Sequence, residues 1–192
     1  MISAAKARCC ANVRWVQADA LDSVTRALLQ DADGILLRYF LLHLPRTATS
    51  LAEMLGVVRP GTRLWVFDLD TDHSHCEPPV AAFDEFRALV QEFCSAHQAE
   101  IRTSTTLPPI LERLEFEVDA VAVEPFNTGK IDRFLFAEYL YREAELYYYC
   151  LHGITGDNEL RNLKHFFEFD MAANKHFVQY GMVMISAVKR SI

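Results

Sequence analysis

Hydrophobic and polar positions along the chain predict strands that alternate with helices. Near-continuous apolar runs at 35–42 and 63–69 are typical of strands that are buried on both faces, as in parallel sheets. Residues 47–58 carry apolar side chains at helical spacing, and a longer amphipathic helix runs from Pro78 to about His97. Further strands are predicted at 13–18, 116–123 and 176–188, and further helices at 23–30, 108–114, 131–151 and 159–174, with the end of another at 1–10. This order predicts an open α/β sheet with helices on both faces.

Length and composition fit a single globular domain over residues 1–192, with a helical insertion at about 128–175. A hydrophobic fraction of 51% excludes a disordered chain. The sequence contains no apolar stretch long enough for a membrane span, so we expect no membrane association. Because the net charge is −7, clustered cations for a nucleic-acid backbone are not expected, and nucleic acid is disfavoured as a partner.

The cysteines and the first residues bear on the cellular compartment. Five cysteines occur without any CxxC spacing, which favours reduced thiols over a disulfide framework. Charged Lys6 and Arg8 stand where a signal peptide would need an apolar segment. We therefore expect a cytoplasmic protein.

Three segments, in this order, resemble the class I S-adenosylmethionine-dependent methyltransferases. Residues 13–20 (VRWVQADA) resemble the third strand of that family and the acidic residue after it. Residues 33–44 (DGILLRYFLLHL) resemble the fourth strand, and residues 55–68 (LGVVRPGTRLWVFD) resemble the turn and fifth strand. Residues 107–123 are similar to the helix and sixth strand that follow, with Glu115 where a glycine is usual.

The resemblance implies a Rossmann-like methyltransferase sheet, mostly parallel with the last strand antiparallel, in the family order 3-2-1-4-5-7-6. It also implies that the first two strands are missing, because the seven glycines include no GxG for the family's glycine-rich loop. We therefore expect an N-terminally truncated chain, which an in-frame GxGxG upstream of Met1 would confirm. Two alternatives are that 13–18 pairs directly with 35–40, or that another chain covers the edge left unpaired.

The resemblance assigns cofactor-binding roles to three residues. Asp19 stands where the family's acidic residue contacts the adenine amino group, and Ala20 would offer its backbone N–H to the adenine ring. Arg38 would lie near the sulfonium of S-adenosylmethionine or near the substrate. The alternatives are a helix N-cap for Asp19 and an ion pair with a carboxylate such as Asp68 for Arg38.

Four further residues are candidates for the chemistry and for substrate binding. His43 follows a strand end and could act as general base, or it could only cap the next turn. His73 lies in a polar loop at the predicted ligand end of the sheet, where a zinc site would lack a third ligand. Phe136 and Tyr139 could line an apolar substrate pocket, although aromatic stripes more often belong to the core.

Together these features predict methyl transfer from S-adenosylmethionine to an oxygen or nitrogen of a small molecule, in a chain that lacks part of the cofactor site. The alternative is a non-catalytic methyltransferase-like subunit that docks a partner. Expected partners are a small-molecule substrate and either a second copy in a homo-oligomer or an N-terminal complementing segment.

Overall fold

The computed structural model describes residues 12–99, 102–156, 158–171, 173 and 175–191, so the helix predicted at 1–10 lies outside the described residues. The helices are α1 (Ser23–Gln30), α2 (Thr47–Leu55), α3 (Ala81–His97), α4 (Thr103–Arg113), α5 (Arg133–His152) and α6 (Arg161–His165). The strands are β1 (Gly34–Arg38), β2 (Arg63–Leu69), β3 (His75–Glu77), β4 (Phe116–Val123), β5 (Phe126–Asn127), β6 (Phe177–Tyr180) and β7 (Met182–Lys189).

The main sheet has four strands in the order β1-β2-β7-β4. β1 and β2 are parallel, with Gly34 opposite Arg63, whereas β7 runs antiparallel to both β2 and β4. This order matches the fourth, fifth, seventh and sixth strands of the family pattern. The predicted mixed sheet with its last strand antiparallel is therefore confirmed.

The two faces of the main sheet differ in what lies on them. One face, here called the covered face, carries Ile35, Leu37, Leu64, Val66 and Ile185, which are buried under apolar residues of α2 and α4. The opposite face, here called the open face, borders a groove of about 380 Å³ and is formed by Leu36, Arg38, Trp65, Phe67, Ala120, Ala122, Met184 and Ser186. The expectation that 35–42 is buried on both faces is wrong, because Leu36 is 65% exposed while Leu37 is 7% exposed.

The segment at 13–18 is not a strand. Its residues form no ladder and are exposed, with Trp15 at 45%. The alternation of apolar residues there indicates strand propensity, but a strand needs a neighbour to pair with. Within the described residues β1 pairs only with β2, so 13–18 does not pair with 35–40.

The predicted strands at 35–42 and 176–188 are each interrupted. β1 ends at Arg38, because Tyr39 adopts a left-handed backbone with φ of 49° and Leu41–His43 then form a short 3₁₀ turn. The last predicted strand breaks at Gly181, where an added Cβ would lie 2.0 Å from the carbonyl oxygen of Asp70. As a result β6 and β7 belong to different sheets.

A second layer surrounds the small sheet β3-β6-β5. Its core joins α3, α5, α6 and a π-helical turn at Phe166–Met171, so the helix predicted at 159–174 is only partly regular α-helix. α4 begins earlier than predicted, because Thr103 donates to the Leu69 carbonyl (2.7 Å) and Asp70 accepts the N–H of Ser104 (2.9 Å). None of the described helices is long and apolar enough to cross a bilayer.

Candidate functional site

The parallel strands β1 and β2 end side by side, and Asp68 fixes this strand end. Its Oδ2 accepts the N–H groups of Phe40 (2.7 Å) and Leu41 (2.8 Å), and its Oδ1 accepts the N–H of Leu69 (2.8 Å). Burial raises the pKa of the Asp68 carboxyl, and these three donors oppose that rise. Asp68 therefore holds the chain in place just where Tyr39 turns away from the sheet.

Beside this strand end lies a carboxylate surrounded by tyrosines. Glu143 of α5 accepts hydrogen bonds from the hydroxyls of Tyr139 and of Tyr180 (2.8 Å), and the Tyr147 hydroxyl also acts on its carboxylate. Tyr139, Glu143 and Tyr147 stand four residues apart, so they share one side of α5. Burial raises the pKa of Glu143, and the three hydroxyls act in the opposite direction.

Tyr39 connects the strand end to this group. Its ring meets the Tyr139 ring at a centroid distance of 6.3 Å. The Phe67 ring packs edge-on against Tyr39 at 6.0 Å. We call Tyr39, Tyr139, Glu143, Tyr147 and Tyr180 the Glu143 cluster. Tyr39, Tyr139 and Glu143 are only partly buried, so the cluster reaches the surface on its strand-end side.

Arg38 lies at the end of the open face with its side chain exposed. Its guanidinium carbon is 5.5 Å from the centroid of the Tyr39 ring, which brings it next to the Glu143 cluster. The ion pair with Asp68 that the sequence left open does not form: Arg38 lies exposed on the open face, whereas Asp68 is buried and is bound to backbone N–H groups. The cofactor-binding role of Arg38 stays a prediction.

His43 belongs to the 3₁₀ turn after β1. Its ring meets Phe93 edge-on at 5.9 Å, and partial burial lowers its pKa while Asp68 opposes that shift. None of the described contacts joins His43 to Tyr139 or Glu143 directly. Its role as general base stays a prediction.

The described hydrogen bonds of Asp19 are local, whereas Ala20 has a packing contact. Asp19 Oδ1 accepts the N–H of Leu21 (2.8 Å), whereas the N-cap of α1 is Asp22, which accepts the N–H of Thr25 (2.7 Å). Ala20 packs against the core of the covered face. Asp19 therefore stabilises the turn just before the helix, although the N-cap itself is Asp22. Its contact to adenine stays a prediction.

The other two candidates lie apart from the Glu143 cluster. His73 Nδ1 is 3.4 Å from Asp70 Oδ1, and its carbonyl accepts from the Gln179 amide (2.9 Å). Phe136 is 2% exposed and belongs to the core of the second layer, among the helices, and its role in substrate binding stays a prediction. Among the described residues no group of three His, Cys, Asp or Glu could hold a metal ion.

Glu143, Tyr180 and Tyr39 were not predicted from the sequence. One signal does exist for Glu143, because it interrupts a stripe of buried α5 residues, Phe136, Leu140 and Tyr147, at helical spacing. A carboxylate in such a stripe needs hydrogen-bond donors, and tyrosines flank it at four residues on either side. No comparable signal links α5 to Tyr180 or Tyr39, which are distant in sequence.

Among the described residues, two glycines near the main sheet serve packing. A Cβ at Gly34 would lie 2.7 Å from the Trp65 ring, and Gly181 is in close contact with Asp70. Neither glycine is therefore available to bring backbone close to a cofactor.

Comparison with known proteins gives structural neighbours only. No protein-family model and no curated protein matches the chain. Among solved structures, BH2331 of Bacillus halodurans C-125, assigned as a methyltransferase, matches with a TM-score of 0.55 and 15% identity over 98% of this chain and 77% of its own. The YcgJ protein of Bacillus subtilis matches with a TM-score of 0.56 and 17% identity, over 100% of this chain and 77% of its own. The cyclase SpnF matches with a TM-score of 0.50 and 17% identity, over 100% of this chain and 61% of its own. At these identities the likeness confirms the predicted fold.

Proposed function

Because the chain has the class I methyltransferase fold, we propose that it takes part in S-adenosylmethionine-dependent methyl transfer to an oxygen or nitrogen of a small molecule. The observation that carries the proposal is the strand order β1-β2-β7-β4 with β7 reversed. In open α/β sheets ligands bind beyond the carboxyl ends of the parallel strands. At that place this chain has the Glu143 cluster, which combines aromatic rings with hydroxyls and a carboxylate.

A small acceptor fits the surroundings of this strand end better than a macromolecule. The Phe67 ring centroid lies 6.0 Å from that of Tyr39 and 5.8 Å from that of Phe126. This row of aromatic rings favours an apolar or aromatic acceptor. The net charge of −7 opposes binding to a nucleic-acid backbone. The acceptor of the proposal is therefore a small molecule that carries a hydroxyl or amine.

S-adenosylmethionine binding of this kind also needs a glycine-rich loop, which a further segment would have to supply. On the open face Leu36, Trp65 and Met184 are 65%, 43% and 48% exposed, and one edge of β1 has no partner among the described residues. An apolar face beside an unpaired edge fits a further strand-and-helix unit. We propose that an N-terminal complementing segment covers this face and brings the glycine-rich loop.

Isothermal titration with S-adenosylmethionine tests this proposal. The chain alone is expected to give no binding heat, whereas the chain fused to a strand–loop–helix segment with a glycine-rich loop is expected to bind. The matched control is the same fusion with the loop glycines changed to alanine, which should abolish binding because a Cβ blocks the approach of backbone to the cofactor. Absence of binding in every version contradicts methyl transfer.

A non-catalytic role is the second candidate, and the open face favours it. A methyltransferase-like subunit would use this apolar face to dock a partner or a second copy of the chain. Sedimentation at increasing concentration distinguishes the two uses of the face. Self-association that Leu36→Lys abolishes, together with no cofactor binding in any version, would favour the docking subunit over the enzyme.

A further inference from the structure

The long helix α5 carries apolar side chains on two opposite sides. Its inward side supplies buried residues to the core of the second layer, which are Phe136, Ala137, Leu140, Ala144 and Tyr147. Its outward side has large apolar side chains that are 50–68% exposed, which are Phe134, Leu135, Leu146 and Tyr149. A helix that is apolar all round is normally buried all round. The outward side of α5 therefore has the composition of a surface that another element covers.

The neighbouring helix α3 shows the composition that a water-facing side has in the same layer. It is 17 residues long, and it also packs large apolar side chains into the core. Its exposed residues are alanines and polar or charged side chains, among them Asp84, Glu85, Arg87, Gln91 and Glu92. The apolar residues on the outward side of α5 are thus particular to that helix.

Two grooves border the outward side of α5. The first has a volume of about 350 Å³, lies between α5 and the chain at 164–168, and is lined by Phe134. The second has a volume of about 330 Å³, lies between α5 and the chain at 155–160, and is lined by Leu146. Both grooves are also lined by Tyr141, so they follow one another along the helix. Each of the two apolar ends of the outward side therefore has a groove beside it.

The middle of the outward side is charged, and the two signs follow one another along the helix. Glu138 and Arg142 stand four residues apart, so they are neighbours on the helix surface. Arg142 donates to Glu145 Oε2 at 2.8 Å, which holds its guanidinium over the same side. Phe134 and Leu146 stand four residues before Glu138 and four residues after Arg142. The outward side therefore presents one ridge that is apolar, negative, positive and again apolar.

We propose that the outward side of α5 pairs with the same side of α5 in a second copy of this chain, antiparallel, about a two-fold axis at the level of Leu140. Positions at equal distances before and after Leu140 then face each other. Glu138 faces Arg142 of the second copy, and Phe134 faces its Leu146, each twice because of the symmetry. Packing of ridges formed by every fourth residue is the commonest arrangement of two helices. This inference goes beyond the proposed function and does not depend on it.

Charge and shape both favour a second copy in this orientation. An antiparallel pair places each carboxylate of Glu138 opposite a guanidinium, whereas a parallel pair would place Glu138 against Glu138 and Arg142 against Arg142. Phe134 of the second copy would enter the groove beside Leu146, and Leu146 of the second copy would enter the groove beside Phe134. The same ridge therefore supplies both the side chains that insert and the grooves that receive them, as an interface between identical surfaces requires.

The size of this surface sets the expected strength of the dimer. The 20 residues of α5 span about 30 Å, and only one side of the helix takes part. A typical specific interface uses about 20–30 residues from each partner, which is more than this side and its two grooves supply. We therefore expect a dimer that dissociates at micromolar concentrations. The pairing uses neither the Glu143 cluster nor the open face of the main sheet, so both stay accessible to the roles proposed above.

Sedimentation equilibrium of the full chain from micromolar to millimolar concentration tests the pairing, and a monomer–dimer equilibrium is expected. Phe134→Glu should raise the dissociation constant by roughly tenfold or more, because it removes an aromatic anchor and brings a charge into an apolar groove. Val24→Glu, at a 50% exposed position on α1, and Leu36→Lys, on the open face, are controls that should leave the constant unchanged. A chain that stays monomeric, or a dimer that Leu36→Lys dissociates and Phe134→Glu does not, overturns the proposal.

Two charge reversals test the antiparallel register. Glu138→Arg places arginines opposite Arg142 of the second copy, and Arg142→Glu places glutamates opposite its Glu138, so each variant alone should dissociate. An equimolar mixture of the two should dimerise again, because every arginine then faces a glutamate. Circular dichroism verifies that each variant is folded, and the recovery in the mixture cannot come from a change in folding. If both variants are folded and their mixture stays monomeric, or if neither reversal weakens the dimer, the pairing is wrong.

Discussion

The two faces of the main sheet have similar side chains and different surroundings. Leu37 on the covered face is 7% exposed, and its neighbour Leu36 on the open face is 65% exposed. Both faces of β2 are apolar as well, with Leu64 on one and Trp65 on the other. The strands therefore carry the composition of a sheet buried on both sides, while the described residues cover only one side.

This difference shows that an apolar composition does not by itself mean that a face of the sheet is buried. An apolar face of this kind is an interaction surface when it stays uncovered. The covered face obtains its stability from α2 and α4, which pack Leu51 and Leu107 against it. The open face contributes little to the stability of the described fold, and it ends at Phe67, next to Tyr39.

The largest expected effect is a loss of stability when the packing of the covered face is disrupted. Leu37→Ala should lower the free energy of unfolding by about 2–5 kcal/mol, because it leaves a cavity under the helices. Leu36→Ala, one residue away on the same strand, is the matched control and should cost less than about 1 kcal/mol, since that side chain is mostly exposed. Urea unfolding measures both, and equal losses would contradict the difference between the faces.

The next effect concerns the strand end, where the covered face meets the Glu143 cluster. Asp68→Asn keeps the shape of the side chain but replaces one acceptor oxygen with a donor, so at least one of the three N–H groups loses its partner. We expect a loss of about 1–3 kcal/mol in urea unfolding. Asp119→Asn, at an exposed position on β4, is the control and should change the unfolding free energy by less than about 0.5 kcal/mol. A neutral Asp68→Asn would contradict the anchoring role of this carboxylate.

Sequence periodicity located the four strands of the main sheet and most helices, because it reports which residues can be buried together, but it missed the short strands β3 and β5. It failed at 13–18, where alternation predicted a strand that has no neighbour to pair with, and at 35–42, where it could not indicate that one face lacks a cover. Both errors have the same cause, because propensity belongs to a segment whereas pairing and burial depend on what lies beside it.

Chemistry at the site was predictable only where it depends on local spacing. Tyr139 was a candidate from the aromatic stretch of α5, and Glu143 stands four residues later. The hydrogen bond from Tyr180 and the ring contact of Tyr39 with this pair join positions that are far apart in the chain, and they depend on the turn at Tyr39 and the break at Gly181. Those backbone features depend on close tertiary contacts, so no pattern in the sequence predicts them.

A smaller effect on stability, with a clear optical readout, tests the open face. Leu36→Lys should leave the unfolding free energy within about 0.5 kcal/mol, because the side chain is 65% exposed. It should reduce the fluorescence of an added apolar dye such as anilinonaphthalene sulfonate, since a charge then interrupts the groove. Val24→Lys, at a 50% exposed position on α1, is the control and should leave the dye signal unchanged. An unchanged signal in Leu36→Lys would indicate that the open face is covered in solution.

The smallest effect is a pH dependence at His43, whose ring is packed against Phe93 at the strand end. Burial lowers the pKa of His43 in the fold, so the unfolded chain binds a proton more readily than the folded one. Its contribution to stability is therefore complete above the usual imidazole value of about 6.5 and is lost as the pH falls below it toward the lowered pKa. Urea unfolding between pH 5 and 8 should show this loss on acidification. His43→Asn should reduce the slope, whereas His152→Asn on α5 should retain it. A slope that is the same in His43→Asn would mean that Phe93 does not desolvate this imidazole.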